Sequence, residues 1–481
     1  MSKEIGITVK KVEDFSEWYN QVVLKAELAD YASAKGFMVL RPYGYQIWEI
    51  IQSVLDCEFK KLGHRNAYFP ALIPESILKR EAEHFKGFVP EVFWVTEAGD
   101  NRLGERLAVR PTSETIAYSS YSKWIRSWRD LPLLLNFWNS VMRAEIKSTK
   151  PFLRTSEFLW QEGHTAHATK EEADEETMKI LNLYKWFIEE YLAIPVLAGC
   201  KTEREKFVGA LYTTTLEAIM PDGKALQMGT SHNLGQNFSK VFEIKYLGQD
   251  KQEHYVWQTS WGVSWRLIGA VIMVHGDDKG LILPPKIAPI QVVVIPIFYK
   301  DKPNEKLASK AKEITTTLQQ NGIRAFCDDR EEYTPGWKFN DWELKGVPLR
   351  LEIGPRDLEK HTVTFALRDT GKRVEVDESS AAERAKALLE ELQKRLKARA
   401  ESMLKELSST ADSYDEFKRI LSTKGGFIKA GWCGDQACEA SIKEDTGADI
   451  RVVPFEGDPS IHRCVYCGKE AKITAYFARA Y

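Results

Sequence analysis

At 481 residues, 43% of them hydrophobic, the chain is too long for one core and is expected to form two to four globular domains. A net charge of only −2 gives it no overall field for nucleic acid, so any such contact has to come from local basic patches. The longest apolar run, Ile268 to Val274, falls short of the roughly 18 residues of a membrane span, and the opening MSKEIGITVKKVEDF lacks the apolar stretch and cleavage site of a secretory signal. No membrane association and a cytoplasmic location are therefore expected.

Residues 10–65 carry helical signals, with Asp14 and Ser16 as candidate caps before Trp18, Val22 and Val23, and a second apolar period from Tyr45 through Trp48, Ile51 and Leu55. Between them, Phe37 to Leu40 reads as a short strand stopped by Pro42. Gly63 to Pro74 reads as a strand with Pro70 inside it; proline cannot donate to a ladder, so this strand belongs at a sheet edge or a chain–chain junction. Leu107 to Val109 is strand-like and leads through Arg110-Pro-Thr-Ser-Glu114 into a helix from Thr115 to Trp124. Thr112 or Ser113 could cap that helix with Glu114 in its first turn; alternatively, a hydroxyl beside a carboxylate suits a bound ammonium group.

The stretch Arg143 to His164, RAEIKSTKPFLRTSEFLWQEGH, is the richest in chemistry. Arg143 and Arg154 flank a lysine-bearing loop, and planar guanidinium forks suit a polyphosphate-like anion, although an Arg-x-Glu pair alone is equally a surface ion pair. Read as a strand, Glu157 to Glu162 puts Phe158, Trp160 and Glu162 on one face and Glu157, Leu159 and Gln161 on the other.

Lys170 to Leu192 is an acidic amphipathic helix, with Met178, Leu181, Tyr184 and Phe187 inward and its glutamates solvated. Gly229-Thr-Ser-His232 is expected on a turn after the strand Ala225 to Met228, where a histidine is ordinarily structural. Thr259 to Arg266 brings a glycine beside an arginine, so a flat ligand could approach the backbone closely, and an arginine next to so apolar a segment needs an anionic partner.

Leu283-Pro-Pro285 and Pro289 mark a boundary. Beyond it, strands at Val292–Ile297, Ile323–Cys327, Leu349–Ile353 and Thr362–Leu367 alternate with a helix from about Asn304 to Gln320 and another opened by Thr334-Pro335, forming a small α/β unit. From Glu383 to about Ile420, leucines 389, 392, 396 and 407 with Met403 keep helical spacing; Lys394, Arg395, Lys397 and Arg399 form either a solvated or an RNA-facing side. Cys57, Cys200 and Cys327 are scattered and read as small buried thiols. Cys433-x4-Cys438 and Cys464-x2-Cys467 form two close pairs that fit a closed four-sulfur zinc site, which has no open position for catalysis.

Taken together, the residues resemble the prolyl-tRNA synthetases of archaeal and eukaryote-like type, class II aminoacyl-tRNA synthetases, over essentially the whole chain. The strand ending at Pro70 is similar to the class's first motif, Arg143-x-Glu145 through Glu157 to its second, and Gly262 to Arg266 to its third. RPTSE at 110–114, FLRTSEFLWQEGHTAH at 152–167 and GTSH at 229–232 are similar to the stretches that mark proline specificity.

The resemblance implies an α+β protein: an antiparallel-sheet catalytic domain over 1–285, an anticodon-binding α/β domain over 286–382, and a helical linker with a small zinc-binding α+β domain over 383–481. It implies a homodimer through the first motif, MgATP, L-proline and tRNA(Pro) as partners, and a terminal Tyr481 lying near the active site. Arg143 matches the arginine that bridges the proline carboxylate and the α-phosphate, and Arg266 the one that packs on adenine and the terminal phosphates. Glu145, Arg154, Thr155, Gln227 and Thr230 match the remaining ATP contacts. Thr112 and Glu114 match the residues that take the ring nitrogen, and Trp160, Glu162, Phe207 and His232 the rest of the proline pocket. Phe339, Glu343, Arg350 and Arg356 match the reader of the two anticodon guanines, Arg356 standing where some relatives carry lysine. Cys433, Cys438, Cys464 and Cys467 match the zinc ligands.

Bacterial-type relatives carry a hydrolytic insertion between the second and third motifs; the 65 residues from Thr165 to Thr230 leave no room for one. Burying proline's three methylenes is worth roughly 2 kcal/mol, so alanine and cysteine are expected to be activated in part. Two other readings are a non-catalytic RNA-binding paralogue, which would be expected to lose Arg143, Arg266 or Glu114, and a synthetase for another amino acid such as threonine, whose zinc site lies in the catalytic domain.

Overall fold

The computed structural model describes residues 6–84, 91–145, 148–298 and 305–481. The first five residues, Lys147 of the lysine loop and Asn304, expected to open a helix, lie outside them. Eleven strands form one large sheet: β1 (Arg65–Asn66), β2 (Leu133–Met142), β3 (Glu157–His167), β4 (Leu197–Cys200), β5 (Tyr212–Ile219), β6 (Ala225–Gly235), β7 (Trp257–Ser264), β8 (Ser408–Thr410), β9 (Phe427–Trp432), β10 (Asp449–Pro454) and β11 (Ile473–Ala478). Their spatial order is β8-β9-β11-β10-β4-β5-β6-β7-β3-β2-β1, antiparallel except at the two outer pairs.

Beneath the sheet, the helices Phe15–Lys25, Pro42–Lys61, Lys170–Glu190 and Arg266–His275 bury Trp18, Trp48, Phe59, Tyr184 and Phe187 against Trp261 and Trp265. Asp14 caps the first helix by accepting from the Glu17 N–H, and Pro42, expected to stop a strand, also opens the second helix, where its missing N–H costs nothing. The apolar run Leu267 to Val274 is wholly buried helix. A second sheet pairs Val292–Pro296 in parallel with Ala325–Cys327 and Leu349–Ile353, then adds Thr362–Leu367 and Arg373–Asp377 antiparallel. The last of these strands is not among the expected ones, although Val374 and Val376, half-buried between the exposed Arg373, Glu375 and Asp377, give it the alternation of an edge strand.

Five expectations need correction. The scattered cysteines are not buried thiols: Cys57 is exposed on its helix, and Cys200 and Cys327 are half-buried on strands. Gly63–Pro74 is not one strand: β1 pairs at the edge of the large sheet, Leu72–Pro74 joins a separate three-stranded sheet, and Pro70 lies in the gap between them. Gly229–His232 is not a turn but the middle of β6, kept extended by pairing on both sides. The helical period from Glu383 does not reach Ile420; the helix Ala381–Glu406 ends, β8 follows, and a new helix runs over Tyr414–Thr423, capped by Ser413. Glu176 on the acidic helix is buried, accepting from His64 at 2.8 Å and Lys179 at 3.1 Å.

The large sheet is continuous from the N-terminal region to the C-terminal one because β10 docks on β4, with Val453 opposite Cys200 and Pro454 opposite Gly199. A Cβ on Gly199 would meet the Val453 carbonyl oxygen at 2.1 Å, so only glycine lets the two strands close. Gly199→Ala should lower stability by about 2 kcal/mol, the cost of forced overpacking. In urea titration and limited proteolysis the C-terminal region should become cleavable first; an unchanged midpoint and cleavage pattern would count against this junction.

Candidate active site

Residues directly opposite across antiparallel strands share a face, so the register of β5, β6, β7 and β3 fixes what lines the cleft. One row runs Thr213, His232, Ser260, His164; the next runs Thr215, Thr230, Gly262, Glu162; beyond these Glu217 stands opposite Gln227, and Ser264 opposite Trp160. With Phe158 further along β3, the aromatic and acidic face expected of this strand is the one that faces the cleft.

A cavity of about 260 Å³ is lined by Thr112, Glu114, Arg143, Trp160, Glu162, Phe207 and His232, the whole set expected around proline, and by Gln227, Thr230 and Arg266. An adjoining cavity of about 510 Å³ holds Glu145, Arg154 and Thr155. Arg143 and Arg266 line both, so the two arginines stand in one cleft. Tyr481 lines the second cavity; its hydroxyl donates to Asp222 at 2.7 Å, and Lys150 and Lys224 lie 4.9 and 5.1 Å from its ring centre.

One end of the cleft is acidic. Ser113 occupies the N-cap position of the helix Glu114–Trp124, yet its hydroxyl does not cap; it donates to Glu162, and the Thr112 hydroxyl donates to Glu114. The capping alternative for RPTSE is therefore not what these hydroxyls do. Glu162 also accepts from the Ser113 N–H at 3.2 Å, Asn139 at 3.0 Å and His164 at 2.9 Å. Burial works to raise the Glu162 carboxyl, but its donors, His164 foremost, hold it below the usual carboxylate range. Burial likewise opposes charge on His164, yet Glu114 and Glu162 together raise its pKa. Two carboxyl groups, Glu114 and Glu162, meet one imidazole here, an acidic end that suits an ammonium ion.

His232 behaves differently. Burial, with His164 adding repulsion, pushes its pKa down to about 3. The Thr213 hydroxyl accepts from the Phe207 N–H at 3.0 Å and is hydrogen-bonded to Nδ1 of the neutral His232 ring at 2.9 Å. Phe207 covers the ring at 4.9 Å between centres.

The other end is cationic. Arg143 donates to the Pro111 carbonyl at 3.3 Å and lies over Phe158 and Trp160, 5.2 and 5.9 Å from their centres. Arg266 is the first residue of the buried helix Arg266–His275 and makes only long contacts, 3.5 Å, to the Gln227 and Leu153 carbonyls. Burial, then the nearby Arg143, draws its pKa down to about 10. A guanidinium so weakly paired beside a helix N-terminus is a built receptor for an anion. Lys201, Glu205, Thr213, Ser260 and His164 also line the cavity, and sequence reading did not single them out as site residues.

In the middle unit Arg350 lies 4.0 Å from the Phe339 ring centre and donates to Glu352 at 2.9 Å, Glu343 pairs with Lys279 at 2.9 Å, and Arg356 is exposed on the helix Pro355–Lys360. Of the basic cluster on the helix Ala381–Glu406, Arg395 pairs with Asp369 and Lys397 with Glu190, so these two tie the helix to the rest of the fold. At the C-terminal end, the sulfurs of Cys433, Cys438, Cys464 and Cys467 all lie within 4.8 Å of one another, with 3.6 Å between Cys433 and Cys438 and 3.8 Å between Cys433 and Cys467. Sulfurs at the corners of a tetrahedron around a metal at about 2.3 Å stand about 3.8 Å apart, so this set could hold a metal ion.

Comparison with known proteins decides among the readings. A model of the tRNA synthetase class II core domain (G, H, P, S and T) matches residues 93–275, one of an anticodon binding domain matches 291–388, and one of the prolyl-tRNA synthetase C-terminal region matches 414–481. A proline–tRNA ligase of Cenarchaeum symbiosum is 58% identical, covering 99% of this chain and 100% of that one, and one of Natranaerobius thermophilus is 54% identical over the full length of both. The chain belongs to the proline–tRNA ligase family. A crystal structure of a family member, the prolyl-tRNA synthetase of Cryptosporidium parvum complexed with halofuginone and AMPPNP, superposes with a TM-score of 0.95 at 44% identity, covering 99% of this chain and all of that one. Likeness at this level to proline–tRNA ligases over the full length favours a catalytic protein over a non-catalytic paralogue.

The His164–Glu162 pair gives the acidic end a pH signature. Below about 6.5 His164 is protonated in the folded and unfolded chain alike, so its contribution is complete; it fades as pH rises through the raised folded value. Glu162 contributes above its unfolded pKa and loses that contribution on acidification through its depressed folded value. His164→Gln should therefore cost about 2 kcal/mol at pH 6 and clearly less at pH 9, read as the shift in urea midpoint. An equal loss at both pH values would rule out the charged pair.

Proposed function

We propose that the chain is an ATP-dependent, AMP-forming proline–tRNA ligase that activates L-proline and transfers it to the 3′ end of tRNA(Pro). The observation that carries this reading is the polarity of the single cleft: Glu114 with a hydroxyl at one end, Arg143 and Arg266 at the other. Proline carries a secondary ammonium and a carboxylate on the same carbon, and ATP is a polyanion; together they match that order of charges.

In the first step the proline carboxylate, ionised at neutral pH, attacks the α-phosphorus of MgATP, an O–P bond forms, and the bond to the leaving pyrophosphate breaks. No general base is needed, because the nucleophile has a pKa near roughly 3.5. The chain's task is to hold two anions in line and spread the charge that builds on the phosphoryl oxygens. Arg143 bridges carboxylate and α-phosphate, and Arg266 takes adenine and the terminal phosphates. Glu145, Arg154, Thr155, Gln227 and Thr230 complete the nucleotide site; that a relative was crystallised with AMPPNP supports nucleotide binding by this fold. Thr112 and Glu114 receive the ring nitrogen, Trp160, Phe207 and the neutral His232 enclose the ring, and Glu162, its oxygens already engaged, acts by fixing Ser113 and His164. In the second step a terminal ribose hydroxyl of tRNA attacks the adenylate carbonyl and AMP leaves.

We divide the chain into a catalytic domain over 1–285, an anticodon-binding domain over 286–382 and a C-terminal domain over 383–481. Phe339, Glu343, Arg350 and Arg356 read the two anticodon guanines, arginine supplying donors to guanine acceptors and glutamate accepting from its amino group. Cys433, Cys438, Cys464 and Cys467 would hold a structural zinc ion, which with four protein ligands would have no open position for catalysis. A homodimer forms through the segment around Pro70, supported by Tyr68 and Trp124, 73% and 50% exposed beside the open edge at β1. Among the described residues no helix is long and apolar enough to cross a membrane, in keeping with a cytoplasmic place.

Two experiments test this reading. In ATP–pyrophosphate exchange with each amino acid in turn, proline should dominate with traces from alanine and cysteine, and Glu114→Gln should raise the KM for proline at least tenfold, the loss of one charge-assisted contact of about 1.5 kcal/mol or more. Exchange driven equally by another amino acid would sink the assignment. Arg350→Ala should raise the KM for tRNA in charging while leaving exchange within twofold; equal loss in both assays would remove the anticodon role.

A further inference from the structure

A buried trio of charges joins the C-terminal region to the cleft. Lys201 donates to Glu217 at 2.7 Å, and Arg451 grips the same carboxylate through two nitrogens at 3.0 to 3.2 Å; side-chain exposures are 3%, 0% and 10%. Thr215 adds a fourth donor at 3.2 Å, and the Arg451 carbonyl accepts from Lys201 at 3.0 Å. Arg451 reaches this face through a local irregularity. The pairing of β10 with β11 shifts between Ile450 and Val452, a bulge that leaves Arg451 out of the ladder and turns its side chain toward Glu217. Glu217 stands opposite Gln227, whose carbonyl Arg266 contacts, and Lys201 lines the same cavity as both.

The charge count gives the trio its meaning. A Lys201–Glu217 pair alone would be neutral, with the ammonium spent on its own carboxylate. Burial draws the Lys201 pKa down and Arg451 adds to this, while the Glu217 carboxylate in hydrogen-bond contact opposes it. With Lys201 protonated and Arg451 bound to both carboxylate oxygens, the trio carries a net positive charge in a site shielded from water, where a cation acts strongly on a nearby anion. We propose that Arg451 is a positioning residue of the activation reaction: by engaging Glu217 it leaves the Lys201 charge uncompensated at the cavity wall, so that the C-terminal region completes the polyphosphate-binding field of the catalytic cleft. This rests on the Gln227–Arg266 end being the nucleotide end.

The test is pyrophosphate exchange on the full-length protein. Arg451→Met should raise the KM for ATP roughly tenfold, the loss of one shielded cation, while kcat and the KM for proline stay within about twofold. Arg451→Lys should recover most of the loss. A merely structural role would lower kcat through a smaller active fraction and leave both KM values alone, and that result would overturn the proposal. Lys201→Met keeps the Arg451–Glu217 clasp and should show the same selective loss, so it decides the matter even if Arg451→Met does not fold; an unchanged KM for ATP in it would also overturn the proposal. Arg266→Met separates the two layers: if it leaves the KM for ATP unaltered, the nucleotide-end reading fails and takes the proposal with it, whereas a normal Arg266 effect beside silent Lys201 and Arg451 variants refutes the trio alone.

Discussion

The register between β3 and β7 is the constraint on which the cleft depends. Side chains along a strand alternate with period two, so a slip of one residue would turn Trp160, Glu162 and His164 into the apolar layer and expose Leu159, Gln161 and Gly163 in their place. Gly163 and Trp261, opposite one another, lock the alignment. A Cβ at Gly163 would lie 2.1 Å from the Trp261 ring, which in turn packs 5.1 Å from Phe59 and 5.2 Å from His64 on the core side. The packing beneath the sheet thus determines which charges stand above it.

Buried charge of both signs is tolerable there because each group has partners whose own positions are fixed. Glu162 has four donors, from a helix start, from β2 and from β3. Arg143 rests on aromatic faces, and Arg266 is held loosely by carbonyls on two different segments. The arrangement is pre-organised for ligand rather than assembled around it, which reduces the reorganisation that charge development would otherwise demand.

Much of this could be read from the residues, for identifiable reasons. Phe158, Trp160 and Glu162 announce a strand face by alternation, and two close cysteine pairs announce a tetrahedral set by spacing. Features set by distant pairing could not be read. The GTSH segment is rich in turn-forming residues, yet ladders on both sides hold it extended. The helical leucine period past Glu406 hid a strand of three residues that pairs with β9. Glu176 sits in a glutamate-rich run and is buried only because His64, more than a hundred residues away, meets it. Lys201 looks like the start of an ordinary charged turn; its distinction comes from Glu217 and Arg451, which no local pattern links to it.

The docking of β10 on β4 has a consequence for how the molecule is made. As the nascent chain leaves the ribosome, β4 emerges about 250 residues before its neighbour, and over that interval one side of the sheet offers unpaired N–H and C=O groups. Translation interrupted before residue 449 would leave a protein with every side chain that lines the smaller cavity and an adhesive flank, an unfinished edge open to pairing with other chains.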